Sequence, residues 1–278
     1  MNKPANNACE QASEKLAKLT SPVEYMDIRR IADLCELATI RSEDIMDKVI
    51  AIVLAAGQGK RMHSQVAKQF LVLQDKPVVY YCLKAFEQSS VDEIILVTGE
   101  GQVDYCKREI VELYQINKVV KIIEGGKERY DSVYQGLINA ETAEYVLIHD
   151  GARPFISTEI IDGLVEQVKE SKACIIGMPV KETIKVIDDM GNIRATPNRN
   201  TLWAAQTPQA FDYMKIRQAY EDFYHDKDTR SMVVTDDAML YETYIKLPVK
   251  ILPGDYNNIK LTTPEDLILA ERILSQRD

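Results

Sequence analysis

The sequence predicts an α/β fold, a mainly parallel sheet covered by helices on both faces. Three observations point there. Five short β-rich runs are almost wholly apolar, as strands buried on both sides must be. Segments with apolar residues three or four apart separate them, the spacing of amphipathic helices. Glycine-rich or charged segments follow the runs, where an open parallel sheet binds its ligands.

In chain order, residues 1–46 differ from the rest and read as an N-terminal extension. Asn2 to Asn7 is polar and broken by Pro4, a disordered start. After Thr20-Ser21-Pro22, Ile28, Ile31, Leu34, Cys35 and Ala38 recur at helical spacing and predict one amphipathic helix, a docking or surface element. Met46 stands just before the first strong strand and offers an alternative start.

Residues 47–278 read as one domain. The strands are VIAIVL (49–54), EIILVT (93–98), VVKII (119–123), YVLIH (145–149) and ACIIGM (173–178). The helices between them are PVVYYCLKAFEQS (77–89), QVDYCKREIVELY (102–114), KERYDSVYQGLINA (127–140) and STEIIDGLVEQVKE (157–170). From about 180 to 210 the alternation fails. There Asp188-Asp189-Met190-Gly191-Asn192 is a turn between two β-rich arms. A hairpin inserted without a covering helix either folds back on its own domain or pairs with a second copy. Near the end, Thr263-Pro264-Glu265-Asp266 is a helix start, which accounts for its acids structurally.

Composition excludes several functions. With 46% hydrophobic residues the chain can bury a core. Its 34 Lys and Arg against 43 Asp and Glu give a net charge of −9, unlike a nucleic-acid coat. The five cysteines, Cys9, Cys35, Cys82, Cys106 and Cys174, contain no CxxC pair and read as reduced core residues. The N-terminus lacks a signal peptide's apolar stretch, and no apolar run approaches the ~18 residues of a membrane span. A soluble cytoplasmic protein is expected.

The candidate chemistry lies in the loops. After the first strand comes Ala55-Ala56-Gly57-Gln58-Gly59-Lys60-Arg61-Met62, with Lys68 beyond. Small residues let backbone N–H groups approach phosphate oxygens, and Lys60, Arg61 and Lys68 add positive charge. Met62 stands where a dinucleotide fingerprint needs glycine, which disfavours an NAD-dependent oxidoreductase, and Gly-Lys-Ser/Thr is missing for a Walker loop. After the third strand, Gly125-Gly126 opens a helix and should offer further free N–H groups to a base or sugar. After the fourth, Asp150 is placed to hold Mg²⁺ together with substrate phosphates, and Arg153 to take an anion bidentately. His149 reads as structural. Thr183, Lys185, Arg199 and Thr207 on the hairpin could serve a phosphate, and Lys260 has no structural explanation.

Taken together, LAAGQGKRM…KQF, GGKERYDSV, HDGARPF, KETIK, PNRNTLWAAQTPQAF, TDDA and NNIKLTTPEDL resemble the 2-C-methyl-D-erythritol 4-phosphate cytidylyltransferases of the non-mevalonate isoprenoid pathway. The motifs run in order over about residues 48–275. The resemblance implies a Rossmann-like domain of the nucleotide-diphospho-sugar transferase type, with a projecting β-hairpin arm that forms a homodimer. It implies CMP transfer from CTP to the polyol phosphate with release of pyrophosphate, and a requirement for Mg²⁺ at Asp150. By the same resemblance Arg61 and Lys68 stabilise charge on the triphosphate, while Arg199 from the partner's arm and Lys260 position the substrate phosphate. Arg153, Thr183 and Thr207 contact the polyol phosphate together with Asp150. Ala55, Ala56, Gly57, Gly59, Gly126, Ser132 and Asp150 surround the CTP. Either Asp255 or Asn257 completes the metal site. Ribitol-5-phosphate cytidylyltransferases share the fold but differ around Ala55-Ala56-Gly57 and Leu202-Trp203. A non-catalytic nucleotide-binding homologue would have no use for the whole charge set.

Overall fold

The computed structural model describes residues 47–57, 67–226 and 233–276. The N-terminal extension, Gly59 and Arg61 lie outside the described residues. One seven-stranded sheet organises the domain, in the order β11 (Lys250–Pro253), β7 (Ala173–Pro179), β10 (Trp203–Asp212), β6 (Tyr145–Asp150), β1 (Val49–Ala55), β4 (Glu93–Thr98), β5 (Val119–Glu124). Its five anticipated strands are β1, β4, β5, β6 and β7. β1 pairs in parallel with β4 and β6.

The period of two explains why β1 is apolar throughout. Val49, Ala51, Val53 and Ala55 join one buried cluster, Ile50 and Ile52 the opposite one. Both faces are therefore packed, and each fully buried aliphatic side chain contributes about 1.5–3 kcal/mol. On the first face lie α1 (Val78–Gln88), through Cys82, Leu83 and Phe86, and α4 (Thr158–Ser171), through Leu164 and Val168. On the second lie α3 (Arg129–Ile138), through Val133 and Leu137, and α5 (Tyr213–His225), through Ile216 and Tyr220. Between β4 and β5, α2 (Val103–Tyr105) continues as π-helical turns over Cys106–Glu112 where one regular helix was expected. Cys82, Cys106 and Cys174 are buried free thiols, as anticipated for the described cysteines.

The segment expected to be a hairpin arm divides in two. β8 (Val186–Ile187) and β9 (Ile193–Ala195) form a small exposed hairpin. At its turn the Asp188 carboxylate accepts the N–H groups of Met190 and Asn192, and Gly191 adopts φ +82°. The return arm belongs instead to the main sheet. β10 (Trp203–Asp212) runs antiparallel between β6 and β7, and Thr207 to Phe211 are buried. The run TPQAF is a core strand because its backbone completes the ladders of two neighbours, which periodicity within the segment does not reveal.

Three short strands carried no strong sequence signal. β11 (Lys250–Pro253) is an edge strand, and only half of such a strand needs to be apolar. β2 (Val72–Leu73) and β3 (Lys76–Pro77) are a two-residue ladder. After α6 (Asp237–Leu240) and β11, α7 (Pro264–Leu274) starts at Thr263 with a capping box closed by Asp266, as the Thr-Pro-Glu-Asp run predicts. Its Ala270, Ile273 and Leu274 pack with Leu73, Val78 and Phe155. Among the described residues no helix is long and apolar enough to cross a membrane.

Candidate active site

A cleft of about 930 Å³ opens at the carboxyl ends of β1, β4, β5 and β6, where a parallel sheet leaves loop backbone free to meet ligands. Ala56 and Gly57 line it after β1, just past the buried Ala55. The Ala55 carbonyl accepts Gln69 Nε2 at 2.5 Å, which ties the short 3₁₀ turn Lys68–Phe70 to the strand end and brings Lys68 to the cleft wall. Gly99, Glu100 and Gln102 enter from the loop after β4.

The glycine pair after β5 serves differently from expectation. Gly125 N–H donates to the Thr98 carbonyl at 2.7 Å, and Gly126 N–H to Ser132 Oγ at 3.2 Å. Those donors hold the loop rather than stand free. Glycine is required at 125 by close approach, since a Cβ there would stand 2.8 Å from Ala56 Cβ and 2.5 Å from Ser132 Oγ. Gly126 and Ser132 both line the cleft.

At the floor stands Asp150. Its Oδ1 accepts Arg129 Nε at 3.0 Å and its Oδ2 pairs with Lys260 Nζ at 2.7 Å. Burial opposes ionisation of this carboxyl, but the charges of Arg129 and Lys260 outweigh it and hold the group well below the usual carboxylate range. Mg²⁺ typically takes one or two carboxylates plus substrate phosphates and water. Asp150 is a carboxylate of that kind, at the floor of the cleft. Among the described residues no three acidic, His or Cys groups cluster as a cage. Asp255 and Asn257 are not cleft-lining; the Asp255 carboxylate accepts the Asn257 N–H at 2.8 Å.

The remaining expected contacts are distributed unevenly. Thr207 is buried, and its hydroxyl accepts the Asp150 N–H at 3.1 Å and meets His149 Nδ1 at 3.2 Å. Burial pushes the His149 pKa down to about 4, so the ring is neutral, with Nε2 against the Arg153 carbonyl. His149 and Thr207 thus shape the Asp150 loop. Arg153 sends Nη1 to the Asn258 carbonyl at 2.7 Å, beside the cleft rather than lining it. Thr183 is exposed, and Arg199 donates to the Lys181 carbonyl at 2.9 Å beside Trp203. Neither lines the Asp150 cleft of its own chain.

Several residues escaped the reading of the sequence. Gly99, Glu100 and Gln102 could have been found by applying the strand-end rule to β4. Arg129 lies inside a quoted motif, but nothing local marks it as the partner of Asp150 and Asp237.

A family model for 2-C-methyl-D-erythritol 4-phosphate cytidylyltransferase matches residues 49–276. The chain belongs to the 2-C-methyl-D-erythritol 4-phosphate cytidylyltransferase family. It is 50% identical over 231 residues to the cytidylyltransferase of that name from Lachnoclostridium phytofermentans, covering 83% of this chain and 98% of the relative. The cytidylyltransferase of Alkaliphilus oremlandii is 47% identical over 234 residues, covering 84% and 97%. The crystal structure of 4-diphosphocytidyl-2C-methyl-D-erythritol synthase from Anaerococcus prevotii superposes with a TM-score of 0.73 at 34% identity, covering 84% of this chain and 99% of that one. The 2-C-methyl-D-erythritol 4-phosphate cytidylyltransferase structure from Thermus thermophilus gives 0.66 at 26%, covering 82% and 99%. For a cytidylyltransferase of this family, a cleft with Lys68, Arg129 and Lys260 on its walls suits two anionic substrates within an acidic protein.

Proposed function

We propose that this chain transfers CMP from CTP to 2-C-methyl-D-erythritol 4-phosphate, giving 4-diphosphocytidyl-2-C-methyl-D-erythritol and pyrophosphate in isoprenoid precursor synthesis. The observation that carries the reading is Asp150, held between Arg129 and Lys260 at the floor of a cleft walled by the β1 and β5 loops. An oxygen of the substrate phosphate attacks the α-phosphorus of CTP, and the bond from that phosphorus to the bridging oxygen of the β-phosphate breaks. Both reactants are anions, so the protein's work is positioning and charge stabilisation. The loops after β1 and β5 hold the nucleotide. Lys68 and Arg61 stabilise the charge that develops on the departing pyrophosphate, and Lys260 guides the attacking phosphate.

Asp150 would hold Mg²⁺, which when bound neutralises phosphate charge. Arg199 and Thr183 do not line the Asp150 cleft of their own chain, and the hairpin beside them exposes Val186, Ile187, Met190 and Ile193. A homodimer in which each arm completes its partner's site accounts for both facts. We place the activity in the cytoplasm.

Pyrophosphate release from CTP and Mg²⁺, measured with each polyol phosphate, tests the reading. Turnover with the methylerythritol phosphate is expected. Preference for ribitol 5-phosphate, or CTP binding without turnover, would overturn it.

A further inference from the structure

Arg129 joins the cleft to a fully buried carboxylate that no substrate can reach. Asp237, at the start of α6, has no solvent exposure. Its Oδ1 accepts Arg129 Nη1 at 2.9 Å and its Oδ2 accepts Nη2 at 2.8 Å, a fork-on-fork pair. Tyr220, on α5, donates its hydroxyl to Oδ1 at 2.6 Å. Gln209, on β10, accepts the backbone N–H groups of Asp237 and Ala238 at 3.1 and 3.0 Å. Three elements therefore hold Asp237, and Asp237 holds two of the three nitrogens of Arg129. The planar guanidinium then has one direction left for Nε, and that direction is Asp150 Oδ1.

Stability alone is a poor reason for this arrangement. Burying an ion pair costs desolvation that its attraction barely repays, and apolar replacements are often neutral or better. Three cations, Arg129, Lys260 and Arg153, act on Asp150, and Asp237 offsets the charge of Arg129 from the other side. Without the charge of Asp237, the whole cation of Arg129 would lean on Asp150 and compete with whatever else that carboxylate must bind.

We propose that Asp237 is a positioning residue for the transfer reaction, gripping Arg129 so that Asp150 keeps both its orientation and enough negative charge to hold a divalent cation with the substrate phosphates. The inference rests on the reading of Asp150 given above. Asp237 touches no substrate; it acts through Arg129.

The test uses the full chain. Asp237→Asn keeps the shape and removes the charge. Its kcat should fall roughly 10–100-fold, and the Mg²⁺ concentration at half-maximal rate should rise, the scale for losing a residue that orients a metal ligand. Binding of Mn²⁺ in the presence of CTP, followed by electron spin resonance without turnover, should weaken in parallel. In an Arg129→Gln background, Asp237→Asn should add no further loss, because the two act as one unit. Tyr220→Phe, which removes only one donor to Asp237, should shift Mn²⁺ affinity slightly in the same direction, and serves if Asp237→Asn does not fold. Wild-type kcat and Mn²⁺ affinity with only a lower melting temperature would overturn the proposal, as would full multiplicative losses in the double variant. A wild-type chain that binds Mn²⁺ and CTP but releases no pyrophosphate would instead refute the assigned reaction, and the Mn²⁺ measurement would still report on Asp237.

Discussion

Asp150 and His149 owe their protonation states to their surroundings. Asp150 stays ionised because two cations face it, and His149 stays neutral because burial admits no charge. Lys68 reaches the cleft because Gln69 anchors its turn to the end of β1. Lys68→Ala should therefore lower kcat by roughly 10²–10³, the scale for one transition-state charge donor, read by pyrophosphate release at saturating CTP. Wild-type turnover would remove Lys68 from the mechanism. The thiols give a pH prediction. Burial raises the pKa of Cys82 and of Cys174 from 9.0 to about 12. In the unfolded chain these thiols lose their protons near pH 9, whereas in the folded chain they keep them. The folded state binds more protons between pH 9 and 12, so stability falls as pH rises through that window. The denaturant midpoint should drop between pH 8 and pH 10.5, and less steeply in Cys174→Ala. Iodoacetamide at pH 8 should leave Cys82, Cys106 and Cys174 unlabelled until the protein is unfolded, as peptide mass spectrometry would show.

Loop glycines and helix caps connect local sequence to site geometry. Gly125 lets the β5 loop pack against Ala56 and Ser132. Gly125→Ala must push the loops after β1 and β5 apart, and a displacement near 1 Å can cost on the order of 100-fold in kcat/KM. An unchanged kcat/KM for CTP would show that the loops tolerate the methyl group. At α7, Asp266 Oδ2 accepts the N–H groups of Thr262 and Thr263 at 2.7 and 2.9 Å, two residues beyond Lys260. Thr263→Ala should cost about 1 kcal/mol through the lost cap. For a domain of this size that lowers the melting temperature by about 2–4 °C. Calorimetry showing no shift would mean that packing of Ile273 and Leu274 alone sets the helix. The central strands were legible because burial on both faces writes a continuous apolar run. β10 was not, because Thr207, Pro208 and Gln209 become core residues only between β6 and β7.

At the scale of the molecule, the arm supplies the decisive experiment for assembly. Mixing Arg199→Ala with Lys68→Ala subunits should restore about a quarter of the active sites if arms act across a dimer and subunits exchange at random. No recovery between subunits shown to exchange would assign Arg199 to its own chain. The net charge of −9 is that of the whole chain, while Lys68, Lys127, Arg129 and Lys260 bring cations to the cleft. By itself the sequence determined the β/α alternation, the strand ends where ligands meet backbone, and the motifs of a cytidylyltransferase, because each is written in neighbouring residues. Which charges meet is set by folding that brings distant segments together. Arg129 grips Asp237 across 108 positions of chain and turns its remaining nitrogen to Asp150. The same folding engaged the N–H group of Gly125 with the Thr98 carbonyl at the end of β4, and that of Gly126 with Ser132 Oγ on α3. Such pairings depend on the register and packing of strands far apart in the chain, and no local pattern of residues encodes them.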